Sequence, residues 1–183
     1  MQRLCKLIMR LAGWQVIVSV PEQQKSVICV APHTSNWDFI LGKLGYTSIG
    51  RTAHFLIKKD WFVFPFGLFF RAIGGIPVER SKKTRMVDQV AAMFAQYPTF
   101  NVAITPEGTR KRNERWKRGF YYIALKAGVP IQLAYLDYER RVLGIERLFY
   151  PTGDEAADLR AINEYYDGRK GRYPELFSLN QID

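Results

Sequence analysis

The chain has 183 residues, 48% of them apolar, enough for one domain with a substantial core and too apolar for a disordered chain. Lys and Arg number 27 against 17 Asp and Glu, a formal charge of +10 that suits an anionic partner such as nucleic acid, anionic lipid or a phosphorylated substrate. No stretch reaches the roughly 18 uninterrupted apolar residues of a spanning helix, and Cys5 and Cys29 lack metal-ligand spacing, so neither a metal centre nor a disulfide framework is expected and a cytoplasmic, reducing setting is.

Residues 1–13 are predicted as a short amphipathic helix. At 100° per residue, Arg3, Lys6 and Arg10 share a narrow arc opposite Leu4, Leu7, Ile8 and Leu11, and Gly13 supplies a stop. Such a helix either lies in a membrane interface or packs its apolar face on the core. A remaining domain, 14–183, begins with β-branched runs at 14–20 and 26–32, read as strands across the turn "PEQQK". A helix follows over 35–49, capped by Ser35 or Asn36, and then a strand over 53–58. Six of the ten residues from Trp61 to Phe70 are aromatic, among them Phe62, Phe64 and Phe66; with Lys58, Lys59 and Arg71 alongside, this run reads as a lipid contact or as buried core. "GIPV" makes a short strand, 84–97 a helix, 99–105 a strand, 114–128 a helix ended by Gly128, and 129–138 and 141–150 two strands joined by a tight turn. The last helix spans 154–168, with an irregular tail after it. Alternating strands and helices predict a single α/β domain with a central, largely parallel mixed sheet flanked by helices.

Ligands of such sheets bind beyond the carboxyl ends of the strands. Two predicted strands end in unusual polar text, "PHTSNWD" and "TPEGTRKR". His33 is suited to take a proton near neutral pH, and a carboxylate on its other ring nitrogen fixes the tautomer. On one continuous helix, His33 and Asp38 would lie about 140° apart. With His33 on the preceding loop and Asp38 in the first helical turn, the two meet. The alternative is an ordinary loop histidine beside a helix-N-terminal charge. No G-x-S-x-G elbow or other enzyme nucleophile stands out, so a His–Asp pair here points to activation of a substrate hydroxyl or amine. From Glu107 to Arg118 there are six cations and two anions, a composition suited to a phosphate, with Arg80 as a second anion contact.

These residues resemble the glycerolipid acyltransferases, the 1-acylglycerol-3-phosphate (lysophospholipid) acyltransferase superfamily. The resemblance rests on His33-x4-Asp38, on "GGIPVERS" with Arg80, on Pro106-Glu107-Gly108-Thr109-Arg110 and on the apolar turn Val129-Pro130-Ile131, in that order over about residues 14–150. Pro32, Glu79 and Thr105 stand where the family commonly has asparagine, aspartate and phenylalanine. The resemblance implies an O-acyltransferase in which His33 is general base and Asp38 orients it. It assigns Arg80, Glu107, Gly108, Thr109 and Arg110 to the acceptor's phosphate, and Val129, Pro130 and Ile131 to an acyl-chain or structural role. An acyl-CoA or acyl-carrier-protein thioester is the implied co-substrate, and no cofactor or metal is needed. A lyso-lipid is the implied acceptor, 1-acylglycerol-3-phosphate or a lyso-aminolipid. The implied setting is peripheral, on the cytoplasmic face of a membrane touched by Leu4, Leu7, Ile8, Leu11, Trp61, Phe62, Phe64 and Phe66. A non-catalytic lipid binder on the same fold is the alternative. Nucleic acid is not expected as a partner, because the aromatics cluster in an apolar run instead of interleaving with cations.

Overall fold

The computed structural model describes residues 1–79 and 83–182. Its elements in chain order are α1 (Gln2–Leu11), β1 (Gln15–Val18), β2 (Lys25–Val30), α2 (Trp37–Ser48), β3 (His54–Lys58), α3 (Phe66–Ala72), β4 (Gly75–Val78), α4 (Lys83–Gln96), β5 (Phe100–Ile104), α5 (Gly119–Ala127), β6 (Ile131–Asp137), β7 (Val142–Phe149) and α6 (Glu155–Tyr166). All seven strands join one sheet in the order β1-β7-β6-β2-β5-β3-β4. Among the described residues, only the β6–β7 pair is antiparallel. The expected single α/β domain with a largely parallel mixed sheet is the observed one.

The central strands are apolar on both sides because helices cover both faces. Val27, Cys29, Val102, Ile131 and Leu133 turn to one face with Phe120, Ile123, Leu159 and Tyr166. Ile28, Ala134, Leu136, Leu143 and Ile145 turn to the other with Tyr46 of α2. A buried polar chain ties α2 to the sheet: Gln132 Nε2 donates to Ser26 Oγ at 2.6 Å and to the Tyr46 hydroxyl at 3.3 Å, and Ser26 donates to Asn101 Oδ1 at 2.5 Å. These bonds offset part of the cost of burying the chain, while Gln132 Oε1 has no hydrogen-bond partner among the described residues.

One local expectation changes, and one left open is resolved. The helix predicted over 114–128 starts only at Gly119, because Trp116 is pulled inward: its backbone N–H donates to Asn180 Oδ1 at 2.8 Å and its indole N–H to Ser178 O at 3.0 Å. Those contacts to the C-terminal tail outweigh the helical pattern. In α1, only Cys5 and Met9 are buried. The helix rests on α2 by that narrow strip and leaves Leu4, Leu7, Ile8 and Leu11 exposed. Among the described residues, no helix is long and apolar enough to cross a membrane.

Candidate active site

β2 and β5 are adjacent and parallel, with Cys29 opposite Ile104, so the loops after both strands open on the same sheet edge. The His33 loop and the "PEGTR" loop therefore meet. His33 lies on the loop and Asp38 in the first turn of α2, and His33 Nδ1 is 3.1 Å from Asp38 Oδ2. Asp38 is 3% exposed, and its carboxylate is surrounded by donors. Oδ2 also accepts from the backbone N–H groups of Thr34 and Ser35, both at 2.8 Å. Oδ1 accepts from the Tyr138 hydroxyl at 2.6 Å. Such saturation is what a buried carboxylate requires.

Tyr138 is a site residue that the sequence reading missed. It stands just past the end of β6, one hundred residues from Asp38, and nothing local in its neighbourhood marks it. Its backbone N–H donates to Lys170 O at 2.8 Å, and its ring meets Trp14 edge-on at 5.0 Å. Burial, then the hydrogen bond to Asp38, push the phenol far above its usual range, so it stays a donor.

In the second loop, the structure separates residues that the sequence grouped together. Glu107 is turned inward, 1% exposed, and its Oε1 accepts from the His33 backbone N–H at 2.7 Å. Burial raises its carboxyl to about 8; the His33 bond opposes the shift and the Asp38 charge adds to it. The shift favours the neutral acid, and Glu107 braces the His33 backbone. Gly108 takes φ +65°, a conformation that favours glycine, and a Cβ there would collide with the Lys117 side chain. Thr109 Oγ1 accepts from Lys111 N at 3.2 Å. Arg110 is exposed and its guanidinium donates to Asn36 Oδ1, which brings it to the start of α2. Arg80 lies outside the described residues.

Val129, Pro130 and Ile131 sit at the opposite sheet edge. Pro130 O accepts from Val27 N at 3.1 Å, and Val129 and Ile131 are buried in the core. Their position suits the structural reading of the two, since the His33 end of β6 is seven residues further along the chain.

An apolar cavity of about 260 Å³ runs from His33, Asp38 and Thr105 beneath α2. Small side chains create it: Gly42, Ala53, Ala103 and Ala134 line it beside Ile28, Leu136 and Ile145. Phe39 lines it too and contacts Phe55 with ring centroids 4.6 Å apart. Trp37, Phe39 and Ile40 of α2 are exposed, as are Trp61, Phe64 (86%) and Phe66, while Phe62 is half-buried against Phe70.

An α/β sheet with a buried carboxylate behind a histidine at the strand-end edge narrows the fold class. The chain belongs to the acyltransferase family, whose model matches residues 15–135. Its fold is similar to that of the 1-acyl-sn-glycerophosphate (LPA) acyltransferase PlsC from Thermotoga maritima, in a crystal structure with a TM-score of 0.60, 17% sequence identity, and coverage of 93% of this chain and 80% of that one. No match was found among curated proteins.

Proposed function

We propose that this protein transfers a fatty acyl group from an acyl-CoA or acyl-carrier-protein thioester to the hydroxyl of a lyso-lipid such as 1-acylglycerol-3-phosphate. One observation carries the reading: a His33–Asp38 contact of 3.1 Å at the mouth of an apolar cavity, in a member of the acyltransferase family. With Nδ1–H donated to Asp38, His33 presents Nε2 as a base. The acceptor hydroxyl gives its proton to Nε2 as its oxygen attacks the thioester carbonyl. The tetrahedral intermediate then collapses: the new C–O bond remains, the C–S bond breaks, and the imidazolium returns the proton to the departing thiolate. A thioester is already activated, so the scheme needs neither an enzyme nucleophile nor a cofactor. The cavity beneath α2 is the acyl-chain site, and Tyr138 holds the Asp38 carboxylate in position.

The exposed leucines of α1 and the aromatic residues 61–66 support a peripheral seat on the cytoplasmic face of a membrane, where acceptor and acyl chain reside. The net charge of +10 favours an anionic leaflet.

The test supplies purified wild type and His33→Ala with palmitoyl-CoA or palmitoyl-carrier protein and a panel of lyso-lipids, including lyso-aminolipids, with products read by mass spectrometry. Wild type forms one acylated product, and His33→Ala forms it about 10²–10⁴-fold more slowly while melting at the same temperature. No product from any pair, with lipid binding retained, would replace this reading with a non-catalytic lipid binder.

A further inference from the structure

The C-terminal segment 168–173, beyond the residues that the family model matches, lies over the His33 loop. Lys170 O accepts from Tyr138 N at 2.8 Å, and Tyr173 N donates to Thr34 Oγ1 at 3.2 Å. Between these two bonds Gly171 is buried against the loop. A Cβ on it would stand 2.8 Å from Thr34 Oγ1 and 3.1 Å from Pro32 Cβ, so a side chain would lift the segment away.

The next residue is Arg172. It is exposed, and its guanidinium carbon lies 5.7 Å from the Trp37 ring centroid and 5.8 Å from that of Tyr173. Trp37 follows Asn36, which accepts from Arg110. Two guanidinium groups from distant parts of the chain thus flank residues 36 and 37, beside the loop that carries His33. Arg172 also exerts its charge on Tyr138, the phenol bonded to Asp38, which places that charge within reach of the dyad. Arg112, Arg118 and Arg169 have carboxylate partners. Among the described residues, neither Arg110 nor Arg172 has a carboxylate within ion-pair distance. Planar guanidinium forks without carboxylate partners, held at residues 36 and 37 beside the His33 loop, have the chemistry that binds a phosphate.

We propose that Arg172 adds a second guanidinium to the acceptor-phosphate contact that the family resemblance assigns to Arg110, which makes the C-terminal tail a specificity element of the site. The proposal rests on the acyltransferase reading above. The acceptor, and not the donor, is the ligand of this two-arginine clamp because the acceptor is the substrate whose hydroxyl must reach His33, and the clamp stands beside the His33 loop.

The test measures kcat/KM for 1-acylglycerol-3-phosphate and for the phosphate-free 1-acylglycerol, with wild type, Arg172→Gln, Arg172→Lys and Gly171→Ala. Each acceptor is paired with palmitoyl-CoA and with S-palmitoyl-pantetheine, which carries no phosphate. Arg172→Gln lowers the preference for the phosphate acceptor about 10- to 100-fold with either donor, the scale of a lost charge-assisted bond pair. Arg172→Lys recovers part of the preference, and Gly171→Ala lowers it by displacing the segment. An unchanged preference in Arg172→Gln overturns the clamp, and so does a loss seen only with palmitoyl-CoA, which would assign Arg172 to the donor. If wild type acylates neither acceptor, the choice of 1-acylglycerol-3-phosphate as substrate is what fails, and the wider lyso-lipid panel decides the acyltransferase reading. The clamp is then judged by calorimetry with sn-glycerol 3-phosphate: weaker binding to Arg172→Gln supports it and equal binding overturns it.

Discussion

Four donors converge on one buried carboxylate, and their division between its oxygens matters for His33. Oδ2 faces the imidazole and two backbone N–H groups, whereas Tyr138 is the described partner of Oδ1. Removing that hydroxyl frees the carboxylate to rotate without emptying the cavity or touching substrate. Tyr138→Phe therefore lowers kcat about 10-fold or more, leaves KM for both substrates within twofold and alters the pH–rate profile, as steady-state kinetics would read. A purely structural role would lower the melting temperature and leave the profile in place. Glu107 yields a prediction of opposite character, in stability. Its carboxyl is raised to about 8 in the folded protein, against about 4.5 when unfolded. Between those values the folded state holds the proton that the unfolded state releases, so this group's contribution is fully present below about pH 4.5 and is lost as pH climbs to about 8. Glu107→Gln keeps an oxygen for the His33 N–H and does not titrate. Its melting temperature relative to wild type rises from pH 5 to pH 8.5; a constant difference would remove the buried-acid assignment.

α2 serves several purposes at once. Its first turn carries Asp38, its inner side roofs the cavity, and Trp37, Phe39 and Ile40 stay exposed. Because the roof is thin at Gly42, where an added Cβ would meet nothing within 4 Å, the cavity can be filled from this helix without a clash at the backbone. Gly42→Leu shifts the preferred acyl chain towards shorter lengths, with chain-length profiles from a series of acyl-CoA donors as the readout. An unaltered profile would place the acyl chain elsewhere. The pattern of α1 marked it as amphipathic but left its role open between core and membrane. Tertiary packing divides it: Cys5 and Met9 go to α2, and the leucines remain outside.

At the scale of the whole molecule, the proposed membrane seat combines exposed apolar side chains with a net charge of +10. Each large apolar side chain buried contributes roughly 1.5–3 kcal/mol, and each cation near an anionic leaflet about 1 kcal/mol. Trp61→Ser with Phe64→Ser thus weakens co-sedimentation with phosphatidylglycerol-containing vesicles by at least about tenfold while the protein melts as wild type does. Binding of wild type weakens with added salt and persists in part, since the apolar share is not screened. Vesicle binding indifferent to both changes would overturn the membrane seat.

Much of this was legible in the chain itself. Alternating β-branched runs and helical stretches determined an α/β domain, because strand and helix impose different periodicities on the residues that must be buried. The His33–Asp38 spacing determined a meeting of the two side chains once a strand ended before His33, since a loop followed by one helical turn closes that distance. Arg110 and Glu107, by contrast, are neighbours in one motif that folding sends in opposite directions, one to the rim and one to the interior. Tyr138, Gly171 and Arg172 carry no local signal, and Trp116 carries a misleading helical one. Their roles arise from contacts across tens of residues, set by which strands pair and where the tail finds its anchors. Local pattern decides which side chains must be buried; only the packed sheet decides which distant side chains share an edge.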